Sequence, residues 1–235
     1  MTGRFAQRRA DVVQDRGVAR LEAFSDGVFA FAATLLALGI RIPRPDDGDA
    51  STGLAALLVA QWPAYFAFAL SFLSVGIVWA NHHAMFGLFI RTDRGVVFLN
   101  LLNLMVVAFL PVSTAVLGNW LASDRDRLTA VLLYGATLTL FGIVHNMLWW
   151  YAAYRARVTT PDLSARERRS LTLGWSLGPL LYALMMAIAA VDPRYSIAGF
   201  ALIHVLYLLP TARLVASVQR VRQKRTGAEP RRSRT

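Results

Sequence analysis

The sequence predicts an all-α membrane protein with six transmembrane helices per subunit. Three observations carry that prediction. Hydrophobic residues make up 56% of the 235-residue chain and mean hydropathy is +0.45, more apolar surface than a soluble domain of this size needs. Those residues gather into six long runs, each near or above the roughly 17–25 residues that a spanning helix requires. The cationic residues also alternate between connections. Twenty of the 25 lysines and arginines fall in the N-terminal arm, the second and fourth loops and the C-terminal tail, leaving Arg41, Arg44, Arg125, Arg127 and Arg194 on the other side. The positive-inside rule then places both termini in the cytoplasm of a multi-pass cell-membrane protein.

The first run covers 23–40 and follows a polar, basic arm at 1–19 that lacks the apolar core of a secretory signal. Pro43, Pro45 and Gly48 break the chain after it. The second run covers 54–80, the third 95–117, the fourth 128–154, the fifth 171–191 and the sixth 196–212, the last two joined by the tight link Asp192-Pro193-Arg194. Pro111, Pro179 and Pro210 are kinks or breaks that membrane helices tolerate. Trp62, Trp120, Trp149, Trp150 and Tyr151 lie near run ends, as an interfacial aromatic belt does. The chain thus divides into a basic cytoplasmic arm (1–19), a transmembrane domain (20–212) and a basic cytoplasmic tail (213–235) expected to be flexible. The net charge of +11 follows from this topology, and the tail reads as a device for anionic lipid rather than for nucleic acid.

Several functions are excluded. There is no cysteine, hence no thiolate metal site or catalytic thiol. There is no Thr-Val-Gly-Tyr-Gly carbonyl filter, no helix with arginine at every third position, no phosphate-binding Gly-Lys-Ser/Thr loop and no His-Glu-x-x-His pair. No nucleophile–base constellation is visible, so the chain does not read as an enzyme, and no cofactor is expected.

The first run is the informative one. Asp26 sits within its first turns, where a carboxylate at membrane depth costs roughly 2.5–3.5 kcal/mol. It marks either a functional site facing a wet interior or a capping, snorkelling residue at the interface. Phe24, Gly27, Val28, Phe31, Thr34, Leu35 and Leu38 share one helical face. That face is either a packing stripe or a pore-lining stripe, and a ring of Phe31, Leu35 and Leu38 from several subunits would make a constriction that gates by dewetting. Arg20 and Asp26 are six apart and do not share a face, so partners are expected on other helices, with Asn81, His82 and His83 the candidates. The adjacent histidines do not both point at one ion, so no metal site is read there. Asn100, Asn103, His145, Asn146 and His204 read as interhelical hydrogen-bonding groups.

Arg20, Phe24, Ser25, Asp26 and Gly27 match the Arg-x-x-x-Phe-Ser-Asp-Gly signature that opens the first helix in the transmembrane protein 175 family of lysosomal potassium channels, and the chain resembles its bacterial branch. Trp79, Asn81, His82 and His83, with Asn103, Phe109, Leu110 and Pro111, extend the resemblance. It implies a homotetramer whose pore is lined by the first helix, passive conduction of K⁺ with other monovalent cations possible, and a polar network tying that helix to its neighbours. It places the narrowest point at Phe31 and a pore-facing polar group at Thr34. Phe31 departs from the isoleucine or leucine of the family pattern. A proton-coupled transporter or proton leak, relaying through Asp26 with His82 or His83, is the alternative.

Overall fold

The computed structural model describes residues 2–44, 46–47 and 53–208, with side chains described from Arg16 onward. Every regular element among them is helical. Helix α1 runs Thr2–Leu36 and tightens into a 3₁₀ turn at Ala37–Gly39. Then come α2 (Leu54–Ala60), α3 (Trp62–Phe86), α4 (Arg94–Trp120), α5 (Arg127–Trp150) with a π turn at Tyr151–Arg155, α6 (Ala165–Ala189) and α7 (Pro193–Leu208). Among the described residues, five segments are long and apolar enough to cross a membrane: Arg16–Gly39, Trp62–Phe86, Arg94–Trp120, Arg127–Arg155 and Ala165–Ala189.

Two sequence expectations, the second run and the start of the sixth, are corrected. The run at 54–80 is two helices rather than one. Gln61 leaves the helical region at φ −84°, ψ 11°, and Pro63 in the first turn of α3 has no N–H to continue α2. Helix α1 is continuous from Thr2, so the arm expected at 1–19 is helical and leads directly into the first run. The sixth run begins earlier, at Pro193, and its described part spans 16 residues. Its expected end, with Pro210 and the tail at 213–235, lies outside the described residues. Other boundaries follow from caps. Asp93 Oδ1 accepts from the Val96 amide (2.8 Å) to start α4, and Ser164 with Glu167 forms a capping box that starts α6.

Helix α4 packs against α1, α3 and α5; α5 carries α6, and α7 returns against α3. One apolar core joins Phe29, Ala32 and Leu36 of α1 to Leu70, Leu110, Tyr134 and Phe200. The other gathers Val18, Met85, Phe86, Trp149 and Trp175 near the α3–α4 and α5–α6 loops. Those loops are clipped together by Ile90 N to Val158 O (2.9 Å) and Thr160 N to Leu88 O (2.8 Å). This groups Arg91, Arg94, Arg155, Arg157, Arg166, Arg168 and Arg169 at one end of the bundle.

A buried polar chain also crosses the first core. Thr114 Oγ1 reaches Ser71 Oγ (2.7 Å), and Tyr134 OH lies 3.2 Å from both Ser71 and Ser74. Ser74 Oγ lies 2.5 Å from His204 Nε2, while His204 Nδ1 donates to the Phe200 carbonyl (2.6 Å). A carbonyl only accepts, so a neutral His204 carries its proton on Nδ1 and takes one from Ser74 at Nε2. Four helices are thereby pinned at mid-depth, and the expected interhelical role of His204 holds.

Close approach between helices uses absent side chains. A Cβ at Gly142 would lie 2.9 Å from Pro179 Cβ and Cδ on α6, whereas one at Gly76 would meet nothing within 4 Å. Gly142→Ala is therefore expected to destabilise the bundle by about 1–3 kcal/mol. Gly76→Ala should not lower the unfolding midpoint in detergent. Equal midpoints for the two variants would refute the α5–α6 contact.

Candidate functional site

Helix α1 presents two faces of opposite character. Phe24, Gly27, Phe31, Thr34 and Leu38 are exposed, Phe31 at 65%, while Val28 and Leu35 are half-buried at the stripe's edges. Phe24, Phe31 and Leu38 recur every seven residues and so stay nearly in line along the helix. Leu38 falls in the 3₁₀ turn. Thr34 Oγ1 donates back to the Phe31 carbonyl (2.8 Å), which satisfies its proton and leaves its lone pairs outward. Among the described residues, no helix covers this stripe. On the other side, Ser25, Phe29, Ala32 and Leu36 are buried.

The buried face is held by three polar ties at the end where α1 meets the clipped loops. Ser25 Oγ donates to the Leu21 carbonyl (2.8 Å) and accepts from Asn100 Nδ2 (2.9 Å) on α4. Asn100 Oδ1 accepts from His82 Nε2 (2.8 Å) on α3. The His82 ring stacks on Phe86 (centroids 4.3 Å apart) and meets the edge of Phe29 (5.2 Å). Asp26 Oδ1 accepts from Trp79 Nε1 (2.9 Å), and Glu22 pairs with His83 Nδ1 (2.8 Å). Trp79 and His83 stack on each other at 5.8 Å, so the second and third ties share one wall of α3.

Asp26 therefore does not bond to a histidine, as the relay reading requires. His82 is taken by Asn100 and His83 by Glu22. Asn81 Oδ1 faces α6 and accepts from Trp175 Nε1 (3.3 Å). Arg20 is exposed and makes no hydrogen bond or ion pair with a described residue. The interhelical role expected of Asn100 holds, as does that of Asn146, which donates to the Trp175 carbonyl (3.0 Å). Asn103 and His145 differ from expectation, since their side-chain polar atoms are buried without a partner.

Sequence reasoning missed Glu22 and the pairing of Asp26 with Trp79. A signal was present. Glu22 and Asp26 are four apart on α1, Trp79 and His83 four apart on α3, and two such pairs can zip together across a helix interface.

A family model described as endosomal/lysosomal potassium channel TMEM175 matches residues 20–111, which contain all three ties. A potassium channel of Streptomyces collinus is 40% identical over 188 residues, 80% of this chain and 90% of that one. The human endosomal/lysosomal proton channel TMEM175 is 31% identical over 194 residues, 79% of this chain but 38% of the human one. Among solved structures, a crystal structure of a lysosomal potassium-selective channel TMEM175 homolog from Chamaesiphon minutus superposes with a TM-score of 0.74 at 34% identity. It covers 82% of this chain and 96% of that one.

Asn100 bridges two helices and Asn103 bridges none. Asn100→Ala is expected to cost about 1–2 kcal/mol of stability, because it leaves His82 Nε2 without its partner and cuts the link from Ser25 to α4. Asn103→Ala should cost less. Thermal unfolding in detergent, followed by tryptophan fluorescence, checks the order, and a reversed order would show that the bridge is not what holds α1.

Proposed function

The chain belongs to the endosomal/lysosomal potassium channel TMEM175 family, and on that premise we propose that it is a potassium channel whose conduction is passive. The family is one of ion channels rather than enzymes. Four copies assemble so that the α1 stripes face a shared axis and form the pore. Phe31 makes its narrowest ring, with Leu35 and Leu38 as further apolar layers and Thr34 supplying outward hydroxyl oxygens. The observation that carries this reading is the asymmetry of α1. Three polar ties fix its inner face, and the apolar stripe opposite is left without cover by any described residue of the same chain.

The mechanism follows from the stripe's chemistry. An apolar ring offers no ligands to an ion. Wide, it stays wet and conducts; narrow, it expels water and closes. A phenylalanine ring blocks or clears such a pore by rotating about χ1. Each subunit contributes six spans, α2 and α3 together counting as one and α7 as the last. Both termini lie in the cytoplasm of the cell membrane, on the side of the arginine-rich loop end. Proton relay through Asp26 and His82 or His83 is disfavoured, since no hydrogen bond joins Asp26 to either imidazole.

Potassium flux into liposomes tests the reading. Wild-type protein is expected to carry potassium-driven flux, and Phe31→Ala to raise it several-fold or relax the preference for potassium over sodium. No effect of Phe31→Ala, together with loss of a proton-dependent signal in Asp26→Asn, would transfer the function to the relay. The absence of native cysteine gives a second test. Leu38→Cys should form intersubunit disulfides on mild oxidation, whereas Leu140→Cys, exposed on α5, should not. The reverse pattern would place α1 on the outside of the assembly.

A further inference from the structure

A groove of about 620 Å³ runs along the outer side of α5 and α6, within the usual volume range of ligand sites. Its walls are Leu99, Ile143, Met147, Trp150, Leu180 and Ala183. The polar groups beneath them are already engaged. Asn146 Nδ2 donates to the Gly142 and Trp175 carbonyls (2.8 and 3.0 Å), and Ser176 Oγ to the Thr172 carbonyl (2.7 Å). Thr139 leans on Met186 Sδ (3.6 Å), and Tyr151 OH donates to Asp93 (3.0 Å). A floor with its hydrogen bonds complete has nothing to offer a polar ligand, so the occupant is apolar along most of its length.

One end of the groove differs. Trp150 and Tyr151 line it there, and Tyr154 follows one turn on. The Arg168 guanidinium lies 5.1 Å over the Tyr154 ring. Arg155 is four residues past Tyr151, and Arg169 is two turns before Ser176 on the same face of α6. Both are exposed, and neither forms an ion pair among the described residues. The carboxylate at this end, Asp93, is engaged by Tyr151 and by the Val96 amide, and Glu167 belongs to the α6 capping box. The groove is thus a long apolar trough with a cationic mouth at interfacial depth.

We propose that the α5–α6 groove is a binding site for an anionic glycerophospholipid, one acyl chain lying along Met147, Ile143 and Ala183 and the headgroup phosphate meeting Arg155 and Arg169. Apolar length and basic mouth are the two halves of one amphiphile, and the mouth opens on the leaflet where anionic lipid concentrates under the proposed topology. The proposal rests on that membrane-spanning reading and not on conduction, so its test reads bound lipid rather than current.

The experiment is native mass spectrometry of full-length protein extracted from vesicles of equimolar phosphatidylglycerol and phosphatidylcholine. Wild type should retain phosphatidylglycerol in preference to phosphatidylcholine. Arg155→Gln with Arg169→Gln should lower phosphatidylglycerol retention about fivefold per arginine, without lowering phosphatidylcholine retention. Ala183→Trp, which fills the trough, should remove both adducts and leave the oligomeric mass unchanged; Thr139→Phe serves if that variant does not fold. Adducts unaffected by filling the groove would overturn the proposal. So would equal retention of the two lipids, or a fall in oligomeric mass on filling, which would mean that a second copy of the chain occupies the groove.

Discussion

In hydrocarbon a helix gains little by burying leucine against leucine, because lipid offers the same contact, so its rotation is decided by its few polar side chains. For α1 the ones that reach other helices are Glu22, Ser25 and Asp26. Each finds its partner on α3 or α4, in His83, Asn100 and Trp79. Once these are made, Phe29, Ala32 and Leu36 must turn inward, and Phe24, Phe31 and Leu38 outward. The apolar stripe is where it is because the polar residues left it no other place. Asn100 is central here, since its amide donates to Ser25 while its carbonyl accepts from His82, which locks three helices through one side chain.

Much of this was legible beforehand. The loop arginines and the seven-residue spacing of Phe24, Phe31 and Leu38 are properties of composition and period, and these survive folding unchanged. Pairings are different in kind. The four-residue spacings offer Trp79 and His83 as partners for Glu22 and Asp26, but which takes which depends on the register between α1 and α3, which only packing sets. The break at Gln61 was hidden for a similar reason. Trp62-Pro63 reads equally as a kink in one long helix or as the first turn of a new one. Asn103 and His145 resemble Asn100 and His204 in every way sequence can register, and they differ only in what happens to face them.

The two polar systems divide the labour by depth. The Glu22, Ser25 and Asp26 ties act at the arginine-rich end, and the chain from Thr114 through Tyr134 to His204 acts at mid-depth. Helices α3 and α4 take part in both systems, and two fixed points along a helix define its axis. With the bundle behind α1 pinned at both levels, the stripe has a rigid backing, and in the proposed pore rotation of the Phe31 side chain would change the opening without moving the helix.

The back-bonded hydroxyl of Thr34 bears on how such a protein is made. With its proton satisfied by the Phe31 carbonyl, the stripe carries no stranded donor, and a solitary chain is as comfortable against lipid as against its copies. Insertion and association are then separate events, the second governed by how crowded the membrane is with newly made chains. Under the proposed four-copy assembly, activity in a cell would climb more steeply than abundance, because four chains would have to meet by lateral diffusion.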